Sequence, residues 1–344
     1  MLQAVLKELK HIELENTQRR LLKDGEVRLK VISCAICGSD IRIYNYGNSR
    51  VKLPHVTGHE VVGEVIEKSN GCNLNIGDIC CFGADLPCSD SKCEFCKHGD
   101  FSSCDTNYAI GYQFDGGFAE EMIIPENCWK HGAFCVIKQP YNNIKDLYKY
   151  SLVEPLACAI HGVEPMNVSS SDRVLIFGGG PIGLMIADIC HTVKECKSVT
   201  IIEPSVARLN LISSLFPHFK FFSSIKDLDD NSEFDVIFTA NSASECHKLS
   251  IDVAAKNARI NFFGGLGTKE LIAIDTNKIH YKQIMLTGTH GSRLSDFNTA
   301  FEYASYNIVD LDKYITVVYD LADINDAFDS AKDLNNLKII VRGC

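Results

Sequence analysis

From Arg173 onward, short apolar runs alternate with segments of helical character. The runs are VLIF, VTIIE, FDVIFTA and ARINFFGG, in chain order. Strands that are apolar along their whole length are typical of a parallel sheet that crossover helices cover on both faces. The alternation therefore predicts an α/β fold, with a doubly wound parallel sheet in the segment 153–290.

A glycine-rich turn follows the first run and opens a helix. Gly178, Gly180 and Gly183 have the spacing G-x-G-x-x-G, which is a weak signal alone and a stronger one between a strand and a helix. The first glycine permits a tight turn, the second lets the backbone approach a pyrophosphate, and the third lets the helix pack closely on the strand. The helix, expected from about Ile182, offers free N–H groups to phosphates. These four residues are the predicted cofactor contacts.

The second run, VTIIE, ends in an acidic residue. Glu203 stands about where a dinucleotide-binding unit places its ribose-binding carboxylate. A carboxylate there accepts hydrogen bonds from both ribose hydroxyls and repels a 2′-phosphate, so the sequence favours NAD over NADP. Arg208 follows on the next helix, where it could cover the adenine, bind a phosphate or face solvent.

The chain contains 16 cysteines, and nine of them fall between Cys34 and Cys104. Disulfides are uncommon in a reducing compartment, so this density indicates metal binding. Four of the nine form the pattern C-x4-C-x2-C-x7-C, which is typical of a closed structural Zn²⁺ site. The predicted ligands are Cys88, Cys93, Cys96 and Cys104. Asp90 stands close enough in the sequence to compete with Cys88 as the fourth ligand.

A second group of possible ligands is dispersed along the chain. It comprises the Cys of CGSD, the His and Glu of GHE, and the Glu of VEP, which are Cys37, His59, Glu60 and Glu154. Sulfur, nitrogen and oxygen ligands from separate segments suit a catalytic Zn²⁺ that keeps one position open for water or substrate. Whether Glu60 or Glu154 contacts the metal stays open, and both could do so at different stages. Ser39 could relay a proton outward or hydrogen-bond within the CGSD turn.

Charge and hydropathy argue against several classes of partner. The net charge is −10 and no cluster of Lys and Arg is present, which argues against nucleic acid. The longest apolar stretch, Val174–Cys190, includes Gly-Gly-Gly-Pro and Asp188, so no membrane span is predicted. The N-terminal residues lack the apolar core of a signal peptide. We expect a cytoplasmic protein with a small-molecule partner.

The first 152 residues differ in character from the segment that follows. Residues 26–33 and 60–67 alternate polar and apolar side chains, as strands do, and glycine-rich turns follow them. A β-rich domain is therefore predicted over 1–152. The tail 291–344 contains two helical stretches and two strand-like runs, and we expect it to return to that domain.

Together these motifs resemble those of the zinc-dependent medium-chain alcohol dehydrogenase family. The resemblance covers essentially the whole chain, through CGSDIRIY, GHEVVGEV, the cysteine pattern, DGGFAEE, VEPLACAIHG and GGGPIG. It is greatest for the sorbitol, threonine and galactitol-phosphate dehydrogenases, which carry a Glu at the position of Glu154. The resemblance implies a GroES-like catalytic domain (1–152 with 291–344), a Rossmann NAD-binding domain (153–290), two zinc ions and a homodimer or homotetramer.

Two features depart from the family pattern. Four residues separate Cys88 from Cys93 where the family usually has two, which leaves the first structural ligand open. Arg42 occupies a position that is often His in relatives and is linked there to proton transfer. Because Arg keeps its proton near neutral pH, it could instead bind a substrate phosphate or hydroxyl, or face solvent.

The predicted activity is hydride transfer between NAD and a secondary alcohol, with zinc acting as a Lewis acid. The expected substrate is a polyol, a sugar alcohol or a sugar-alcohol phosphate. Two alternatives are an NADP-linked reductase of a sugar ketone or ketose phosphate and a threonine-type 3-dehydrogenase. A third, of a different class, is a catalytically silent structural relative, against which the complete set of dispersed zinc ligands argues.

Overall fold

The computed structural model of this protein describes residues 1–88, 90–229, 231–267 and 269–343. The chain divides into two compact units. Unit 1 comprises Met1–Ala157 and Ser292–Cys344, and unit 2 comprises Cys158–Gly291. Residue 344, with which the predicted return segment ends, lies outside the described residues.

Strands and helices are numbered along the chain. The strands are β1 (Leu2–Glu8), β2 (His11–Asn16), β3 (Val27–Ala35), β4 (Glu60–Lys68), β5 (Ile79–Phe82), β6 (Asp85–Leu86), β7 (Tyr108–Ala109), β8 (Glu121–Ile124), β9 (Phe134–Val136), β10 (Arg173–Phe177), β11 (Ser198–Ile202), β12 (Lys220–Phe222), β13 (Phe234–Thr239), β14 (Ala254–Phe262), β15 (Met285–Gly288), β16 (Ile315–Asp320) and β17 (Lys338–Arg342). The α-helices are α1 (Gly38–Tyr46), α2 (Glu94–Lys97), α3 (Val153–Val163), α4 (Pro181–Asp188), α5 (Val206–Leu215), α6 (Ser244–Asp252), α7 (Thr276–Lys282), α8 (Leu294–Ser305) and α9 (Ile324–Ser330). None of the helices in the described residues has both the length and the apolar character that a membrane crossing requires.

Unit 1 is built on a seven-stranded sheet with the order β16-β17-β3-β4-β5-β9, in which β8 also pairs with β3. The strands predicted over 26–33 and 60–67 are confirmed as β3 and β4, which pair antiparallel. β17 pairs antiparallel with the end of β3 that leads toward α1. This sheet therefore joins the N-terminal and C-terminal segments, and its apolar faces form the core of the unit.

Unit 2 is a six-stranded parallel sheet with the order β12-β11-β10-β13-β14-β15. Counted from β10, this is the order 3-2-1-4-5-6 of doubly wound dinucleotide-binding folds. The apolar residues of β10 are buried, as strands covered on both faces must be. The predicted α/β fold class is confirmed. The strand order reverses between β10 and β13, and ligands of such folds bind at that point, beyond the carboxyl ends of the strands.

Candidate active site and metal centres

Three side chains of the dispersed group converge in unit 1. Cys37 precedes α1, His59 precedes β4, and Glu60 begins β4. One ligand atom from each lies within 4.8 Å of the other two. His59 and Glu60 are buried, whereas Cys37 is partly exposed. The register explains the convergence, because Ala35 lies opposite Glu60 and Cys37 follows Ala35 by two residues.

Asp40, in the first turn of α1, connects the two ligand segments. Its Oδ2 accepts a hydrogen bond from the Cys37 amide at 2.9 Å, and its Oδ1 accepts one from the Gly58 amide at 3.2 Å. The same carboxylate lies 3.5 Å from Nδ1 of His59. A carboxylate that faces one ring nitrogen of a histidine orients the ring and leaves the other nitrogen for a metal. Sequence reasoning missed Asp40, although an acid three residues after the ligand Cys37 was a signal that could have found it.

The electrostatics of this group suit a cation. Burial disfavours a charged His59 imidazole, but the carboxylate of Asp40 and the thiol of Cys37 outweigh burial and hold the pKa of His59 well above its usual range. The surroundings of the ring therefore favour positive charge. A Zn²⁺ ion meets the same need, and thiolate, imidazole and carboxylate are its ordinary ligands. The residues present fit a catalytic zinc ion.

Glu60 has a buried partner that the sequence did not indicate. Nζ of Lys338, the first residue of β17, lies 2.5 Å from both carboxylate oxygens of Glu60. Burial lowers the pKa of Lys338, but the Glu60 carboxylate outweighs it, and the pKa is raised overall. Glu60 is thus paired with Lys338 while it faces Cys37 and His59. The sequence did not predict this contact, because a single Lys at the start of the run KIIV is expected to be exposed, as Lys usually is.

Glu154 lies in the first turn of α3 and is not within 4.8 Å of all three clustered ligand atoms. Desolvation raises the pKa of its carboxyl group to about 7, with His59 opposing the shift and Glu60 adding to it. Glu154 therefore shares the electrostatic surroundings of the site. Of the two glutamates between which the sequence could not choose, the structure groups Glu60 with Cys37 and His59.

The four cysteines of the dense pattern also lie together. One sulfur from each is within 4.8 Å of the others, in the set Cys88, Cys93, Cys96 and Cys104. Two of the sulfur pairs are 3.6 and 3.8 Å apart, which is far longer than a disulfide and suits four thiolates around one Zn²⁺. Asp90, the alternative ligand, is exposed, and its carboxylate accepts a hydrogen bond from the Lys92 amide at 2.8 Å. This geometry favours the four-cysteine set.

The glycine turn of unit 2 has the shape that the motif predicts. Gly178 has a φ of +111°, a conformation that side chains rarely adopt. A Cβ at Gly183 would lie 2.0 Å from the carbonyl oxygen of Gly178, so only glycine allows this packing. A Cβ at Gly180, which caps α4, would meet no atom closer than 4.0 Å. Open space therefore stands at the N-terminus of α4, where Ile182 lies in the first turn and a pyrophosphate would find free N–H groups.

Glu203 follows β11 and is held beside the glycine turn. Its Oε2 accepts a hydrogen bond from the Gly179 amide at 3.0 Å, and its Oε1 accepts one from the Ser205 amide at 2.9 Å. Arg208 is only 7% exposed, so it is not the surface cation that one interpretation allowed. Its Nη1 lies 4.0 Å from where a Cβ of Gly180 would stand, which places its charge near the turn.

Comparison with known proteins agrees with this geometry. The family described as the alcohol dehydrogenase GroES-like domain matches residues 23–132. A sorbitol dehydrogenase of Halalkalibacterium halodurans is 25% identical over 92% of this chain and 91% of its own. An L-threonine 3-dehydrogenase of Shewanella oneidensis is 28% identical over 98% of this chain and 97% of its own. Over most of its length the chain is therefore similar to medium-chain alcohol dehydrogenases, and residues 23–132 match their GroES-like domain.

A solved structure shares the fold of this chain. The 2R,3R-butanediol dehydrogenase of Bacillus subtilis matches it with a TM-score of 0.85 at 23% identity, over 99% of each chain. The likeness establishes the fold. The family resemblance that the motifs indicated, with its branch of sorbitol and threonine dehydrogenases, is confirmed.

Two further predicted site residues lie on α1. Ser39 Oγ is 3.4 Å from Nε2 of His59, so its hydroxyl lies beside the candidate ligands rather than only within the turn. Arg42 is exposed on the same helix. Of the interpretations that the sequence left open for Arg42, its exposure favours a side chain that faces solvent.

Proposed function

We propose that this dehydrogenase transfers a hydride between NAD and a secondary alcohol that is a polyol, a sugar alcohol or a sugar-alcohol phosphate. The observation that carries the proposal is the convergence of Cys37, His59 and Glu60 in a chain that resembles the medium-chain alcohol dehydrogenases. Relatives of the chain are named sorbitol dehydrogenase, L-threonine 3-dehydrogenase and D-arabinitol dehydrogenase. The enzyme class is accordingly an NAD(P)-dependent alcohol or polyol dehydrogenase.

The two groups of ligands would hold two zinc ions with different roles. Cys37, His59 and one of the two glutamates, Glu60 or Glu154, would hold a catalytic ion, which supplies Lewis acidity to a bound hydroxyl group. The four clustered cysteines would hold a structural ion, which adds to the free energy of folding. Ser39 would pass the substrate proton outward, and the support for this role is that its hydroxyl, which can both donate and accept a hydrogen bond, lies 3.4 Å from Nε2 of His59.

For the cofactor we propose NAD, which accepts or supplies the hydride. The amides and glycines at the start of α4 would bind its pyrophosphate. The contacts are Gly178, Gly180, Ile182 and Gly183. Glu203 would accept hydrogen bonds from the ribose hydroxyls and would repel a 2′-phosphate, and its two amide contacts fix the carboxylate for that purpose.

An NADP-linked reductase of a sugar ketone or ketose phosphate is the second candidate. Arg208 favours it, since its buried guanidinium near Gly180 could pair with an added phosphate. Glu203 stands against it for the reason just given. A threonine-type 3-dehydrogenase differs only in its substrate and is covered by the same assay.

We also propose that the enzyme acts in the cytoplasm as a homodimer or homotetramer, without nucleic-acid or membrane partners. The net charge of −10 argues against binding to a phosphate backbone. A reducing compartment keeps cysteine thiols free of disulfides and so available as metal ligands. Size-exclusion chromatography with light scattering measures the oligomer directly, and a monomer would reject that part of the proposal.

Initial rates test the proposed reaction. The zinc-containing protein is assayed with polyols, sugar-alcohol phosphates and threonine, with NAD and NADP side by side. We expect faster oxidation with NAD, and we expect Glu203→Ala to weaken NAD binding about tenfold or more through the loss of charged hydrogen bonds. Glu245→Ala, at an exposed position of unit 2, is the matched control. Faster turnover with NADP would overturn the NAD assignment. If no alcohol were oxidised at all, the remaining hypothesis would be a catalytically silent structural relative.

A further inference from the structure

Arg50, in the loop between α1 and β4, has a guanidinium group with an incomplete set of partners. Its Nε and Nη2 atoms are buried and have no hydrogen-bond partner among the residues that the structure describes. Oδ1 of Asp85 lies 3.9 Å from Nη2, which is within ion-pair range but too long for a hydrogen bond. Two charged donors without acceptors are costly in a folded protein, so the arrangement calls for an explanation.

The guanidinium of Arg50 stands next to the candidate catalytic site. Its central carbon lies 4.4 Å from the centre of the Tyr112 ring, and that ring lies 5.8 Å from the His59 ring. Burial raises the pKa of Tyr112, while the charge of His59 and the hydroxyl of Ser39 act against the shift. The partly buried ring of Tyr112 therefore lies close to both Arg50 and the candidate ligand His59, and all three residues belong to unit 1.

The two atoms of Arg50 without hydrogen-bond partners indicate which kind of group would bind them. Nε and Nη2 form one edge of the planar guanidinium, and that edge matches the two oxygens of a carboxylate or phosphate in a side-on pair. Tyr112 covers a face of the guanidinium through a cation–π contact, which fixes the direction of the edge. An anion that replaced the loose contact with Asp85 would give both N–H groups an acceptor.

We infer that Arg50 determines substrate specificity, by binding a carboxylate or phosphate group carried by the alcohol substrate. This inference rests on the proposed function and narrows its substrate class to anionic alcohols. Asp85 places a carboxylate beside Arg50, with its Oδ1 3.9 Å from Nη2. Without Arg50 an anionic substrate would meet repulsion there, whereas a neutral polyol has no charge for it to bind.

A matched series of substrates tests the inference without any variant. The zinc-containing enzyme is assayed with saturating NAD against a neutral polyol, the same polyol with a terminal phosphate, and the same polyol with a terminal carboxylate. We expect kcat/KM to be about tenfold or more higher for one anionic member than for the neutral one, as a charged bidentate pair provides. The preferred member also tells whether the anion is a phosphate or a carboxylate.

Variants then assign the preference to Arg50. Arg50→Gln should remove the preference, mainly through a higher KM for the anionic substrate, with little change for the neutral polyol. Arg50→Lys should retain part of the preference for the anionic substrate, because Lys keeps the positive charge but lacks the paired N–H donors of the guanidinium group. Lys52→Gln, which removes an exposed cation two residues away, is the control and should change nothing.

Three outcomes would overturn the inference. The first is equal kcat/KM for the neutral and both anionic substrates in the wild type. The second is a fall by the same factor for all three substrates in Arg50→Gln, which would indicate a structural role. The third is the failure of the proposed function itself, which is distinguishable because the wild type would then oxidise no alcohol at all.

Discussion

The two candidate zinc sites of unit 1 differ in where their ligands come from and in how deeply those ligands are buried. The four-cysteine group takes its ligands from one short segment, within which residues 90–98 are all exposed or partly exposed. The group of Cys37, His59 and Glu60 takes its ligands from separate elements, and two of the three are buried. It also has supporting side chains, since Asp40 and Lys338 bind the ligand residues from neighbouring elements.

This difference follows from what each ion must do. In an exposed loop a closed tetrahedral zinc itself supplies the free energy that orders the chain, so the ligands can come from a segment with little core of its own. A catalytic zinc must keep one position open, so the fold has to hold the remaining ligands in place. We therefore expect the loss of ligands to affect stability at the first site and chemistry at the second.

The largest expected effect separates the sites by activity. His59→Ala removes a ligand of the catalytic site and leaves unit 2 untouched, so NADH binding, measured by fluorescence, should persist. Alcohol oxidation should fall about a thousandfold or more, because metal polarisation contributes several kcal/mol to the transition state. Cys37→Ala should behave in the same way. Cys135→Ala, at a partly exposed thiol outside both groups, is the control. Near-normal turnover in His59→Ala would end the catalytic-zinc hypothesis.

The next effect concerns the buried support of Glu60. Lys338→Met leaves the Glu60 carboxylate buried without its ion-pair partner, and breaking such a pair from one side costs about 3–5 kcal/mol of unfolding free energy. Urea unfolding of the protein without its zinc ions measures the loss, because an ion bound to Glu60 would otherwise replace the missing partner. The double variant Glu60→Gln/Lys338→Met should recover most of it, since no unpaired charge remains. Equal instability of the single and double variants would show that Lys338 acts through packing alone.

The four-cysteine site should respond in stability rather than in turnover. Cys93→Ser should reduce the zinc content from two ions per chain to one and lower Tm by several degrees, because the ion contributes to folding. The rate per folded molecule should stay near that of the wild type. Metal analysis and thermal unfolding on the same sample check both values. One zinc ion in the wild type, with an unchanged Tm in Cys93→Ser, would remove the structural ion from the account.

The same contrast explains how much could be predicted from the sequence. The spacing of the four cysteines is local, so the sequence displayed the group before any fold was known. The glycine turn is equally local, because Gly178 and Gly183 meet within one strand-turn-helix unit. The fold class followed from the periodicity of apolar runs, which reports burial of each strand on both faces.

The dispersed site could be predicted only in part. Cys37, His59 and Glu60 were identified as candidates by residue type, but the sequence could not choose between Glu60 and Glu154, because the choice depends on the register of β3 and β4. Lys338 lies 278 positions from Glu60 along the chain, and no local pattern links the two. Arg50 was missed for the same reason, since its contact with Tyr112 depends on the packing of two loops.

The smallest expected effect tests the support that Asp40 gives to the catalytic ligands. Asp40→Asn keeps the size of the side chain and one acceptor oxygen, but it removes the charge that faces His59 Nδ1 and one of the two hydrogen bonds, from the Cys37 or the Gly58 amide. Partners of this kind tune the ligand that they contact, and their loss typically weakens metal binding about 10–100-fold. Chelator competition should therefore show a weaker catalytic zinc and an unchanged structural one. Asp90→Asn, at the exposed carboxylate of the four-cysteine segment, is the matched control and should leave both affinities unchanged. If Asp40→Asn instead kept the wild-type zinc affinity, Asp40 would not be needed to hold the catalytic ligands. Weaker binding of the structural zinc in Asp90→Asn would indicate that Asp90 is one of the ligands of that ion.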